Sequence, residues 1–252
     1  MTLLDREELA REAGKRTHHF HGGLRLRHNK KVSCQHAVER PPLPELLIVP
    51  LLQHAGDLAE SLVNVGERIL KGQQIGRCQP CAAIHSPVSG MVEAIEDQQM
   101  SHPSGQPGPC IVIRPDDKEQ WVELKPIHDW KNADPETLIT QMQECGIAGL
   151  GGAVFPTHAK ARHARERKIH TLVLNGAECE PYISCDEMLM REQPDSIVLG
   201  ARILQKAVGA SQTIIAIEDQ MGAVNQALAD AVDRSGASDI HITKVTTIYP
   251  EG

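Results

Sequence analysis

Two stretches of the chain concentrate residues able to hold a charged ligand. The first reads Gly146-Ile147-Ala148-Gly149-Leu150-Gly151-Gly152-Ala153-Val154-Phe155-Pro156-Thr157-His158-Ala159-Lys160, with four glycines in its first seven residues. So many glycines cost backbone entropy in a regular element, which marks a loop where the backbone must approach something closely. Placed between two helices, such a loop can aim N–H groups at a phosphate. Lys160 adds a cation, and Phe155 can offer its face to a purine or nicotinamide ring. The stretch alone is equally compatible with a plain flexible connection. The second stretch, Asn175-Gly176-Ala177-Glu178-Cys179-Glu180-Pro181-Tyr182, directly follows the apolar run Thr171–Leu174. The turn after a buried strand is where an α/β fold assembles its site. Glu178 and Glu180 can accept hydrogen bonds from ribose hydroxyls or a carboxamide, and Asn175 can donate and accept. Alone, this stretch also fits a solvated acidic turn capping the next helix.

These residues need elements to position them. From Leu46 to about Ile127 short apolar runs are divided by Gly and Pro: Leu46–Leu52, Ser61–Val65, Arg68–Leu70, Gln74–Gly76, Met91–Ile95, Cys110–Arg114 and Trp121–Leu124. Such spacing predicts a small β-sandwich or barrel. The turns Val65-Gly66-Glu67-Arg68-Ile69-Leu70-Lys71-Gly72-Gln73 and Ile84-His85-Ser86-Pro87-Val88-Ser89-Gly90-Met91-Val92 resemble those of a lipoyl/biotinyl hammerhead, the barrel-sandwich hybrid. Gly66 and Gly72 would take positive φ there. A carrier domain displays a modifiable Lys between the halves, whereas Arg77 to Ala83 has none, which predicts an adaptor rather than a swinging arm.

Beyond Asp129 the apolar period lengthens to that of helices alternating with strands. Asp134-Pro135-Glu136 opens a helix with Leu138, Ile139 and Met142 on one face, and Gly146 can end it in the left-handed region. Strands are expected at Thr171–Leu174, Thr213–Ile217 and Ile240–Val245, and helices at Ile197–Val208 and Ala223–Val232. The expected fold class is therefore α/β: an extended lead-in over 1–44, a barrel-sandwich hybrid over 45–128, and a Rossmann-like domain over 129–252 whose mostly parallel sheet is covered on both faces.

Composition removes several classes of function. The net charge is −7, with two Phe, two Tyr and two Trp. That lacks both the basic face and the stacking rings that nucleic-acid binding needs. No apolar run is long enough to span a bilayer, and Met1 to Arg16 lacks the apolar segment of a signal peptide, so no direct membrane span is expected. Seven cysteines, an odd number in a chain with ample core, predict reduced thiols. Cys78-Gln79-Pro80-Cys81 is a lone C-x-x-C without a second pair at zinc-finger spacing, read as structural or incidental, and no metal ligand is assigned.

Gly-Leu-Gly-Gly-Ala-Val-Phe-Pro-Thr (149–157) followed by Asn-Gly-Ala-Glu-Cys-Glu-Pro-Tyr (175–182) closely resembles the RnfC family, a component of the Rnf electron transport complex. More distantly, both motifs resemble the NADH-oxidising flavin subunit of respiratory complex I. Phe20-His21-Gly22-Gly23, His85-Ser86-Pro87-Val88-Ser89-Gly90, Ile214–Glu218 and Tyr249-Pro250-Glu251-Gly252 extend the resemblance over nearly the whole chain. The resemblance implies FMN and NAD(H) as cofactors. Gly149, Gly151, Gly152 and Lys160 would line the phosphate end of FMN, with Phe155 against the dinucleotide. Asn175 and the two catalytic carboxylates, Glu178 and Glu180, would face flavin and nicotinamide, and Tyr249 and Gly252 would begin a last flavin-contacting turn that continues past this chain. It also implies [4Fe–4S] clusters on a C-terminal part absent here, partner subunits of a membrane electron-transport complex, and a peripheral place on the cytoplasmic face of the bacterial inner membrane. Two positions depart from the family: Val154 and His158 stand where Gly is usual, so the loop is bulkier, although a protonated His158 could contact phosphate. Two other readings stay open, an adaptor subunit with an empty loop and a quinone-handling relative of the sodium-pumping NADH:quinone reductase.

Overall fold

The computed structural model describes residues 22–78, 81–101, 104–150 and 154–250. In chain order these form α1 (Lys30–Ser33), β1 (Leu47–Pro50), β2 (Glu60–Ser61), β3 (Arg68–Ile69), β4 (Gln74–Arg77), β5 (Ile84–His85), β6 (Gly90–Gln99), β7 (Pro107–Pro115), α2 (Pro135–Glu144) and α3 (Thr157–Glu166). Then follow β8 (Thr171–Gly176), α4 (Cys185–Glu192), α5 (Pro194–Val208), β9 (Gln212–Glu218), α6 (Gly222–Ser235) and β10 (Ile240–Val245). They divide into two compact units: Pro41–Arg167, and the chain from Lys168 onward joined by the lead-in that precedes Pro41. The helices α2 and α3 therefore group with the strands before them.

The first unit is the barrel-sandwich hybrid with its two helices. One antiparallel sheet has the order β1-β7-β6-β3 and a second the order β2-β4-β5. Apolar residues on the inward positions of these strands, among them Val49, Ile69, Ile75, Ile84, Val92, Ile111 and Ile113, form one buried core. Gly66 and Gly72 take φ of 83° and 77°, the left-handed turns expected of them. Gly90 serves a different need, because a Cβ there would overlap the carbonyl of Arg114 on β7. Trp121–Leu124 forms no strand: Trp121 makes a single bridge to Lys71, and Leu124 is 63% exposed, so the run lacks the partner strand that apolar composition suggested.

The start of α2 follows from its sequence. Asp134 is the N-cap, its carboxylate accepts from Glu136 N at 3.4 Å, and Pro135 occupies the first turn. Leu138, Ile139 and Met142 are its buried face, and Gly146 follows its end at φ 69°.

The second unit is α/β. Its sheet is fully parallel in the order β10-β9-β8, with β8 and β10 each in register with β9. Ile215 and Ile217 of β9 join Val198 and Ala201 of α5 and Val224, Leu228 and Ala231 of α6 in the core. On the opposite face Ile214 and Ala216 are only half-buried, and Val173 of β8 is 58% exposed. Within this unit the described helices thus bury one sheet face fully, not the two expected. The lead-in is tied down here, since Leu24 and Tyr249 exchange backbone hydrogen bonds of 2.8 and 2.9 Å.

One expectation about the cysteines is overturned. Cys78 and Cys81 are joined as a disulfide, while Cys34, Cys110, Cys145 and Cys185 are free thiols. The two Cα atoms lie 4.9 Å apart, within the reach a disulfide requires.

Candidate cofactor-binding site

The glycine-rich loop lies in the first unit and leads straight into α3. It closes like a small hairpin: Thr157 N donates to Ile147 O at 3.0 Å, and Gly149 N donates to Phe155 O at 3.0 Å. Leu150 is 91% exposed and Phe155 is 40% exposed. Lys160 Nζ sits 5.8 Å from the centroid of the Phe155 ring. A Cβ on Gly149 would stand 3.9 Å from that ammonium, an ordinary contact, so the loop backbone runs beside the cation. Gly151 and Gly152 lie outside the described residues, as does Gly252.

The two helix starts of this unit contrast. Where α2 carries Asp134 and Glu136, the N-cap of α3 is Pro156, with no side-chain cap and no acidic residue in the first turn. The first turn of α3 therefore offers no carboxylate to its positive end, and with Lys160 that end suits an anion. Two substituted positions behave differently. Val154 is held at φ 43°, a left-handed conformation costly for a β-branched residue, and its carbonyl accepts from Ala55 N at 3.0 Å. His158 is fully buried with Ala161 on the inner face of α3, so its imidazole is not displayed beside Lys160.

The acidic turn lies in the second unit, at the carboxyl end of β8. Asn175 is exposed, and its Oδ1 accepts from Ala177 N at 3.1 Å, an Asx turn that reverses the chain. Glu180 is exposed as well, whereas Glu178 is 4% exposed and points inward. Its carboxylate accepts from Asp186 N at 3.0 Å, Glu187 N at 3.3 Å and the Cys185 thiol at 2.9 Å. Ser184, the N-cap residue of α4, makes no side-chain cap, and Glu178 does that work from seven residues or more upstream. The Glu178 carboxylate, with burial second, raises the Cys185 thiol pKa. Burial, with Glu178 second, raises that of Asp186.

Behind the turn sits a buried ionic cluster that sequence alone does not disclose. Lys30 Nζ lies 3.3 Å from Glu218 Oε2 and 3.9 Å from Glu178 Oε2, and it also donates to the Glu178 carbonyl. Glu218 Oε1 accepts from Glu178 N at 3.3 Å, and Gln220 donates to Oε2 at 2.9 Å. The lead-in thus contributes one lysine inward to fix the acidic turn. Beside Asn175 a cleft of about 160 Å³ opens between Asp186, Leu189, Met190 and Ile197. That is smaller than the several hundred Å³ of a typical ligand pocket, so this cleft alone does not enclose a dinucleotide.

Residues 18–118 match the family model described as the RnfC barrel sandwich hybrid domain, and residues 142–252 match that of the Nuo51 FMN-binding domain. A subunit of the ion-translocating oxidoreductase complex from Pseudomonas aeruginosa (strain PAO1) is 43% identical over 237 residues, covering 93% of this chain. The Haemophilus influenzae (strain PittEE) subunit of the same name is 40% identical over 235 residues, 92% of the chain. Over this length the chain is similar to these RnfC-type subunits, and its first part matches the RnfC barrel model. It spans only 30% and 36% of those two relatives' own lengths. Both sequence constellations fall inside the segment that matches the FMN-binding domain. Among solved structures, the NAD+-reducing [NiFe]-hydrogenase in its air-oxidised state is 24% identical, with a TM-score of 0.41, over 46% of this chain and 21% of that one. Among the described residues, no helix is long and apolar enough to cross a membrane.

Proposed function

We propose that this chain is the flavin- and NAD(H)-handling front portion of a peripheral, Rnf-type subunit of a membrane-bound, ion-translocating electron transport complex. The observation that carries the reading is the uncapped, acid-free N-terminus of α3, set behind a glycine-rich loop with Lys160 in reach, in the segment matching an FMN-binding domain. An anion with a flat ring attached fits that arrangement: the helix end and Lys160 take the phosphate, and Phe155 offers a ring face. Bound FMN supplies hydride chemistry and the splitting of an electron pair.

The chain's own residues bind and position. Gly149, Gly151, Gly152 and Lys160 hold the phosphate end, and Phe155 lies against the dinucleotide. Asn175 and Glu180, exposed at the end of β8, present hydrogen-bonding groups to flavin and nicotinamide. Glu178 is a positioning residue, holding the turn through α4 and Lys30. Tyr249, whose backbone pairs with Leu24, and Gly252 take the flavin-contacting role in this reading. Iron–sulfur carriers, [4Fe–4S] clusters expected outside this chain and in partner subunits, would take up the electrons, with the complex at the cytoplasmic face of the inner membrane. The names of the similar proteins, subunits of ion-translocating oxidoreductase complexes, support the assignment to such a complex.

Flavin fluorescence titration tests the anion site directly. Lys160→Met is expected to weaken FMN about fivefold to tenfold, the scale of one partly exposed charge-assisted contact, and to leave riboflavin unchanged because riboflavin lacks the phosphate. Equal effects on both ligands would remove the phosphate role from α3. In the FMN-loaded full-length subunit, Glu180→Gln should blunt bleaching of the flavin by NADH.

A further inference from the structure

The geometry points to a second site, remote in sequence from both constellations: a divalent-metal site on the barrel unit, formed by the thiolates of Cys78 and Cys81 with His54 and Asp57 once the disulfide is reduced. One oxygen of Asp57 and the sulfurs of Cys78 and Cys81 all lie within 4.8 Å of one another. Both sulfurs are buried, in the core cluster of the barrel.

His54 supplies the second, independent observation. Its Nε2 lies 3.0 Å from the carbonyl oxygen of Ala82, and since a carbonyl can only accept, Nε2 carries the proton. Its Nδ1 is buried and has no hydrogen-bond partner. A ring fixed by one N–H to a backbone carbonyl, with the other nitrogen bare and inward, is how a metal-binding imidazole is held. That bare nitrogen faces the same space as one of the thiols. A Cβ built on Gly56 would stand 2.8 Å from Cys81 Sγ and 3.2 Å from His54 Nδ1, so the glycine keeps open the gap between them.

The disulfide accounts for the two sulfurs but leaves the imidazole nitrogen unexplained; a metal ion accounts for both. Two thiolates, one imidazole and one carboxylate form a four-ligand, borderline-soft set, which suits tetrahedral Zn²⁺. Reduction of the disulfide by two electrons and two protons yields the two thiols. Binding of Zn²⁺ then displaces two thiol protons, and the sulfurs separate to the spacing a tetrahedral ion requires. Metal and disulfide are mutually exclusive states of one pair, and the reductant in the test is a phosphine, which is oxidised to its oxide with oxygen from water.

The test uses cobalt(II) ions as a spectroscopic probe on the whole 252-residue chain, reduced with a water-soluble phosphine. One equivalent should bind, with a thiolate-to-cobalt charge-transfer band that excess zinc removes. The same chain oxidised with diamide should bind none, a comparison that needs no variant to fold. Cys78→Ser and Cys81→Ser should abolish the band, and His54→Gln should weaken binding at least the ~10-fold lost with an outer-sphere partner. Cys145→Ser, on the exposed end of α2, should leave it unchanged. Absence of the band in the reduced chain overturns the proposal, as does a band that survives Cys78→Ser or an affinity that His54→Gln leaves intact.

Discussion

Lys30→Met isolates the buried cluster that holds the acidic turn. The Lys30 side chain is 7% exposed, and its two carboxylate partners, Glu178 and Glu218, are 5% and 1% exposed. Methionine keeps the length of the stem and removes only the charge and its donors. Two carboxylates are then left in one buried site without a countercharge, a situation that costs about 3–5 kcal/mol when one partner of a buried pair is deleted. The neighbouring amides of Asp186 and Glu187 and the side chain of Gln220 still donate to those carboxylates, so the lower end, about 3 kcal/mol, is expected. Urea unfolding followed by far-ultraviolet circular dichroism measures the loss. Hydrogen exchange should locate it, with protection falling first at the Leu24–Tyr249 pairing and in α4. Adding Glu218→Gln to Lys30→Met should restore about half, because one unpaired charge is gone. A single variant that loses less than about 1 kcal/mol would refute the claim that this lysine fixes the turn, since that is the range of an exposed pair.

Three further outcomes follow from the same structure. Val154→Gly relieves a left-handed β-branched residue, worth about 1–2 kcal/mol, against the ~0.5–1 kcal/mol entropic cost of glycine. Thermal unfolding should therefore show a net gain below about 1.5 kcal/mol, with FMN bound more tightly. Gly90→Ala forces a methyl onto the Arg114 carbonyl across β6 and β7, so a loss of about 2 kcal/mol or more is expected; an unchanged midpoint would mean that the strands separate there freely. Burial lowers the pKa of His85 in the folded state, the Glu144 carbonyl opposing it. The folded protein therefore binds fewer protons there than the unfolded chain, and this contribution is complete above the ordinary histidine value of 6.5 and declines as pH falls below it. His85→Gln should flatten the stability profile on the acid side of that value, and an unaltered slope would assign the acid sensitivity elsewhere.

Much of the architecture was legible because local signals agreed with one another. Asp134-Pro135-Glu136 names the start of α2, Gly146 its end, and Ile240–Val245 the last strand, all within the element itself. The Trp121–Leu124 run shows the limit of composition, since an apolar stretch becomes a strand only if a neighbour offers its backbone. The site divides in the same way. Asn175 and Glu180 are exposed at the end of β8, as a turn at the carboxyl end of a strand suggests. Glu178 reads identically in sequence to Glu180 and yet is turned inward, because its direction depends on Lys30, 148 residues before it, and on Glu218, 40 residues after. Nothing near any of the three announces the other two.

That division bears on how the acidic turn works. In an exposed turn, two glutamates two residues apart would be interchangeable in principle; here one is spent on structure and the other remains available to a ligand. Glu178 takes the place of a helix cap for α4 and anchors the lead-in, so the turn's backbone is fixed before anything binds. A fixed backbone removes ordering entropy from the binding step and leaves Asn175 and Glu180 with defined directions. The corresponding expectation separates the two acids by readout. Glu178→Gln keeps an acceptor for the α4 amides but removes the charge facing Lys30, so it should lower stability and, through it, ligand response. Glu180→Gln should leave the unfolding free energy within about ±0.5 kcal/mol and change only the response to NADH. If both variants lose stability alike, the turn is a single structural unit and Glu180 has no separate part in recognition.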